Sequence, residues 1–109
     1  KLRALAVTGA HRSKAAPELP TVVEAGVPDY VVTGWYGMFV PAATPAAAVS
    51  ALNGAAVKAL RAKDVADRLS SEAAEIVASD PARLGSFLRA EIAKWAEVVR
   101  RAQLRPENF

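Results

Sequence analysis

The residues able to do chemistry in this 109-residue chain are few and scattered. The single histidine, His11, has no Asp, Glu or Cys near it at metal-ligand spacing, and one imidazole cannot build a metal site alone. Cysteine is absent, which excludes disulfides, thiolate-bound metals and thiol nucleophiles. Ser13, Ser50, Ser70, Ser71, Ser79 and Ser86 stand in polar or helical contexts, and none sits in a nucleophile-elbow sequence. Gly34 and Gly37 are not followed by the Lys-Ser/Thr pair of a phosphate-cradling loop. No acid is paired in a strongly apolar setting that would move its pKa towards general acid–base work. Catalysis is not expected of these residues, and they call for no cofactor.

What remains suits binding without chemistry. Thr8, Gly9 and Ala10 form a small-residue turn whose backbone N–H groups can face a carboxylate. Trp35 and Tyr36 can wall a pocket, with the tyrosine hydroxyl as a donor. Consecutive strand positions point to opposite faces, so only one of the two would line a given cleft. The competing reading makes both aromatics core or hinge packing. The polar run His11-Arg12-Ser13-Lys14 can hold an anion or be a solvated loop.

The elements that must position these residues read as strands and helices in alternation. Leu2–Val7 is a short apolar run, as in a strand buried on both faces of a parallel sheet, and the turn at Thr8 lies at its carboxyl end, where α/β sheets place ligands. Thr21 and Glu24 have capping-box spacing, and Gly26 can close the one or two helical turns that follow. Glu24 is thereby explained as a cap. Val31–Val40 is rich in β-branched and aromatic residues, a strand that Pro41 stops. Thr44 is placed to cap a helix beginning at Pro45 and running to Ala62, with Val49, Leu52, Ala56 and Leu60 on one face. Gly54 weakens that helix, and a second backbone packed over it would explain its presence. Asp64 opens a short helix anchored by Leu69, and Ala74–Val77 reads as an edge strand. Asp80-Pro81 starts the longest periodic segment, with Leu84, Leu88, Ile92, Trp95, Val99 and Ala102 recurring every three or four residues. Leu104-Arg105-Pro106 ends it. The result is an α/β class with few strands packed against helices.

Composition limits the function further. A net charge of +3 and a pI near 9.6 are mildly basic, but the cations are interspersed with acids, so no nucleic-acid face is expected. No apolar run approaches the roughly 20 residues of a membrane span. The length allows one domain with a modest core. The chain opens inside a strand and without Met, and so reads as a piece of a longer protein.

In order along the chain, Leu2–Thr8, Arg12-Ser13, Leu19-Pro20-Thr21-Val22-Val23-Glu24-Ala25-Gly26-Val27-Pro28 and Trp35–Pro45 resemble the carboxyl-terminal third of the Bug family of periplasmic solute-binding proteins, the receptors of tripartite tricarboxylate transporters. Glu91–Val99 is similar to that family's last helix. Lys14 departs from the pattern, where Pro often follows Arg-Ser. The resemblance implies the end of a two-lobed, type II periplasmic binding fold that closes on a small carboxylate and passes it to membrane permease subunits without covalent chemistry. It implies that residues 1–30 finish the second lobe and residues 31–109 return into the first. Two alternatives stand beside this: a sensor or interaction domain on the same fold, and an enzyme or enzyme subunit whose catalytic residues lie upstream. Removal of a strand and helix from their lobe partners leaves apolar surface, so self-association of this stretch is also expected.

Overall fold

The computed structural model describes residues 1–104 and contains three helices: α1 (Ala46–Leu60), α2 (Lys63–Ser71) and α3 (Pro81–Arg101). α3 starts as its sequence requires. Asp80 is the N-cap, its carboxylate accepts from the Arg83 N–H at 2.7 Å, and Pro81 fills the first turn, where no N–H is needed. It ends in a Schellman turn in which Leu104 N–H donates to Val99 C=O and Gln103 N–H to Arg100 C=O. Gln103 takes the left-handed conformation (φ 53°) that glycine usually supplies there. Arg105 and Pro106, expected to terminate this helix, lie outside the described residues.

α2 begins one residue before Asp64, with Asp64 in its first turn, where a negative charge suits the helix dipole. It closes through the same Schellman pattern at Ala73 and Ala74. α1 departs from expectation at its start. Pro45 is itself the N-cap, its carbonyl accepting from Ala48 and Val49 N–H groups, and the Thr44 hydroxyl caps nothing. The helix begins one residue late, which moves its free N–H groups out of the reach of Thr44. Gly54 also departs: a side chain there would meet only open space, so no backbone packs over it, and nothing in the structure explains it. Its neighbour Asn53 is the residue with a tertiary role. It donates from Nδ2 to the Ser79 carbonyl at 3.0 Å, tying α1 to the segment that leads into α3.

The three expected strands are not formed. Leu2–Val7, Val31–Val40 and Ala74–Val77 carry no ladder among the described residues, and the β pairing present is one parallel bridge between Val7 and Thr21. The composition of those runs is β-prone, but a strand exists only where a neighbouring chain takes its backbone N–H and C=O groups. Here that neighbour is supplied at a single point. The expected α/β architecture is therefore helical in this chain, and its sheet is reduced to one bridge.

The expected core is also missing. No hydrophobic residue among those described is buried, and Leu2, Tyr36, Met38, Val77 and Ile92 are well exposed. The accessible surface is 9267 Å², whereas a compact monomer of this mass exposes roughly 5,800 Å². The radius of gyration, 17.4 Å, likewise exceeds the roughly 13 Å of a compact chain this long. α1 touches α2, and the apolar stripe of α3 is half-covered at Leu84 and Leu88 but bare at Ile92, Trp95 and Val99.

The caps generate a paired expectation. Asp80→Ala should lower the unfolding free energy of the full-length protein by about 1 kcal/mol, because it orphans the Arg83 N–H. Thr44→Ala should change it by less than about 0.5 kcal/mol, the usual range for a surface side chain with no special contact. Urea denaturation of both variants checks the contrast.

Candidate functional site

The candidate site is assembled around Thr21, which at 3% exposure is the single buried residue among those described. Val7 N–H donates to Pro20 C=O and Val22 N–H to Val7 C=O, both at 2.9 Å, so the end of the first apolar run lies beside the start of the capped turn. That turn forms as the capping box predicts: Glu24 N–H donates to Thr21 Oγ1 at 3.1 Å and Thr21 N–H to Glu24 Oε2 at 2.8 Å. Gly26 closes it at φ 102° in a Schellman arrangement, with Val27 N–H on Val22 C=O and Gly26 N–H on Val23 C=O.

On the other side, Val32 N–H donates to Thr8 C=O at 2.8 Å. Thr8 is thus held between residues 20–22 and residues 31–33. The chain then bends through Gly9, Ala10 and His11. A side-chain carbon at Gly9 would lie 3.4 Å from the His11 carbonyl oxygen and 4.0 Å from Thr33 Oγ1. Among the described residues the N–H groups of Gly9 and Ala10 donate to no backbone or side-chain acceptor. The fold therefore brings Thr8, Gly9 and Ala10 beside Thr33, two residues before Trp35. Thr33 is a neighbour of the turn that the sequence offered no reason to select.

Trp35 and Tyr36 separate as consecutive residues facing opposite ways. Trp35 is half-buried and meets the Phe87 ring of α3 edge-on, 5.2 Å between centroids, and the Phe39 ring at 6.5 Å. Tyr36 is fully exposed, at 103%. Gly37 leaves room between the two rings: a Cβ on it would fall 2.9 Å from the Phe39 ring and 3.2 Å from the Trp35 ring, so the rings would have to shift to accept one. Lys94 ties the same segment to α3 from the helix side: its Nζ donates to Val31 C=O at 3.3 Å and to Glu91 at 2.8 Å, and lies 5.3 Å from the Trp95 ring centre. Glu91 also accepts from Trp95 Nε1 at 3.0 Å. Lys94 first, then Trp95, holds the Glu91 carboxyl below the usual glutamate range.

Two surface hollows, of about 550 and 350 Å³, lie between α1 and the start of α3, the smaller reaching Met38–Val40. Apolar side chains such as Phe39, Val49, Leu52, Leu84 and Leu88 line the smaller one. None of Thr8, Gly9, Ala10, Trp35 and Tyr36 lines either.

A family model described as "Tripartite tricarboxylate transporter family receptor" matches residues 1–104. The chain belongs to that receptor family. Among the chain's curated relatives, Protein BugT of Bordetella pertussis is 34% identical over 99 residues, which is 91% of this chain and 30% of the relative. The UPF0065 protein in the tcbD-tcbE intergenic region of a Pseudomonas species is 34% identical over 100 residues, with the same shares covered. The UPF0065 protein in the TAR-I ttuE-ttuC′ intergenic region of Agrobacterium vitis is 33% identical over 105 residues, covering 94% of this chain and 30% of the relative. The chain thus spans about a third of the length of these relatives. The matched region contains the capping box, the Thr8 turn and the Trp35-Tyr36-Gly37 segment. No helix among the described residues is long and apolar enough to cross a membrane.

The Glu24 carboxyl sits below its ordinary value of 4.5, first because the Thr21 N–H binds its charged form and second because Arg12 does. A carboxyl whose folded pKa is lowered contributes stability that is complete above the unfolded value and is lost as pH falls through the folded one. The melting temperature of the full-length protein should therefore exceed that of its Glu24→Gln variant at neutral pH. The gap should close on acidification below about pH 4.5. Melting curves taken across that range check it.

Proposed function

We propose that this chain forms the end of an extracytoplasmic receptor that captures a small carboxylate-bearing solute for a tripartite tricarboxylate-type transporter. The family match across residues 1–104 carries this reading. The receptor works in the periplasm, undergoes no covalent step with its solute, and delivers it to the transporter's membrane permease subunits. Residues 1–30 complete the second lobe and residues 31–109 return into the first. Asp29, just before that boundary, has a positive φ of 63°.

In this reading the Thr8–Gly9–Ala10 turn presents the free N–H groups of Gly9 and Ala10 to the solute's carboxylate. Neutral donors of this kind bind a carboxylate without a buried cation. Tyr36, fully exposed, supplies a wall and a hydroxyl. Trp35 supports it through its edge-on contact with Phe87, which seats the segment on α3.

Succinate, citrate, benzoate and glutamate sample the di-, tricarboxylate, aromatic and amino-acid classes in a thermal-shift and calorimetry screen of the full-length protein. One of them should raise the melting temperature by roughly 5 °C or more at a hundredfold excess over its Kd. No product should form, and Tyr36→Ala should weaken the binding while leaving the melting temperature of the free protein unchanged. A response to none of them, or consumption of the solute, overturns the receptor reading.

Self-association of the isolated 109-residue chain follows from its uncovered surface. The excess over a compact monomer, about 3,500 Å², is larger than the roughly 1,200–2,000 Å² buried in a standard interface. Sedimentation velocity should show a species heavier than 11.5 kDa that grows with concentration. A concentration-independent monomer contradicts it.

A further inference from the structure

Arg12 is the cation nearest the candidate turn in sequence, two residues beyond Ala10, and at first sight it is the group to meet an anionic solute. The structure gives it different partners. Its Nε donates to Glu24 Oε2 at 2.9 Å and its Nη1 to the Pro17 carbonyl at 3.3 Å. Glu24 Oε2 is the same oxygen that accepts from the Thr21 N–H. The guanidinium therefore reaches back across the loop to the capped turn. Between Arg12 and Pro20 the loop folds through successive short turns: Ala15 N–H donates to Ser13 Oγ, Ala16 N–H to Ser13 C=O and Leu19 N–H to Ala16 C=O.

We propose that Arg12 is a positioning residue for the Thr8–Gly9–Ala10 turn and does not itself touch the solute. The incoming arm of that turn is held by the Val7–Thr21 bridge and by Val32 on Thr8. The outgoing arm, from Gly9 onward, has no backbone bond to either neighbour, and Arg12 is the side chain that fastens it. Both ends of the turn are then referred to one point, the Thr21–Glu24 cap. Arg12 and Glu24 are each about half exposed, 47% and 48%, so their ion pair is worth little as stability. Its value is geometric, because the direction of two N–H donors is set by the arms on either side of them. This inference rests on the receptor reading above for the identity of the turn's task.

The test uses the full-length protein with Arg12→Gln, Arg12→Lys, Glu24→Gln and the Arg12→Gln/Glu24→Gln double variant. Binding of succinate, citrate, benzoate and glutamate is measured by calorimetry well below each variant's melting temperature. The Gly9 and Ala10 amide resonances are recorded without any solute. Arg12→Gln and Glu24→Gln should each weaken binding roughly tenfold, the loss typical of a charge-assisted hydrogen bond. The double variant should lose no more than the weaker single one, since both remove one contact. Arg12→Lys, which still reaches Glu24, should recover most of the affinity. The two Gln variants should move the Gly9 and Ala10 resonances in the same direction, and Arg12→Lys should leave them near their original positions.

A Glu24→Gln variant that binds as well as or better than the parent, beside an Arg12→Gln variant that binds worse, would place Arg12 on the solute and overturn the proposal. Lowered melting temperatures with unchanged Kd and unmoved resonances would make the pair merely structural, and also overturn it. Should the parent bind none of the four solutes, the receptor reading fails on its own. The solute-free resonances then decide the positioning claim: shared displacement in the Gln variants supports it, and its absence refutes it.

Discussion

A single carboxylate oxygen, Oε2 of Glu24, accepts both the Thr21 N–H and the Arg12 Nε–H, and the amino-terminal third of the chain is arranged around it. The capping box closes one turn locally, but its larger effect is on what surrounds it. Thr21, whose backbone also pairs with Val7, is enclosed on all sides while every apolar neighbour remains at least partly open. A polar residue can occupy such a position because its hydroxyl and N–H are both satisfied by Glu24, which removes the cost of taking them out of water. The turn at Thr8 inherits its placement from this arrangement, through Val7 on one side and Val32 on the other.

The second fixed point is aromatic. Trp35 bears on Phe87 of α3 and on Phe39, and Gly37, midway between Trp35 and Phe39, leaves the two rings room that a Cβ would take. The Trp-Tyr-Gly order thus has a packing meaning: the glycine lets two rings on the same side converge, and the tyrosine between points away. With the Lys94 bond to the Val31 carbonyl, this seats residues 31–39 along one side of α3 without a sheet ladder. The connection to the helix is made through side chains of α3.

The uncovered helix faces and the family assignment agree on one physical point. α3 has the stripe of a helix built to be buried, yet Ile92, Trp95 and Val99 face solvent, and the chain spans about 30% of the relatives it matches. Hydrophobic stabilisation scales with apolar area removed from water, and little has been removed here. The amphipathic stripes, the apolar hollows beside α1 and the unladdered β-prone runs are left uncovered among the described residues.

Features decided within a few residues were legible in the sequence. The Thr21–Glu24 box, the Gly26 closure, the Asp80-Pro81 start and the length of α3 depend on bonds between residues three or four apart, and each stands where its spacing put it. The opposite facing of Trp35 and Tyr36 was legible for the same reason, since alternation along a backbone is local. The family, too, could be read from short motifs in their order. Features that depend on distant partners were decided only in three dimensions. The runs at Leu2–Val7, Val31–Val40 and Ala74–Val77 have strand composition but no ladder, because hydrogen bonds between chains cannot be supplied by the run itself. Thr44 lost its capping role to a one-residue shift of α1, and Asn53 gained a role because Ser79 came within reach. Arg12 looked from its neighbours like a free cation and proved to be committed to Glu24, twelve residues away. The chain's own residues set each local turn; which of its groups were left free to bind was settled by what lay across from them.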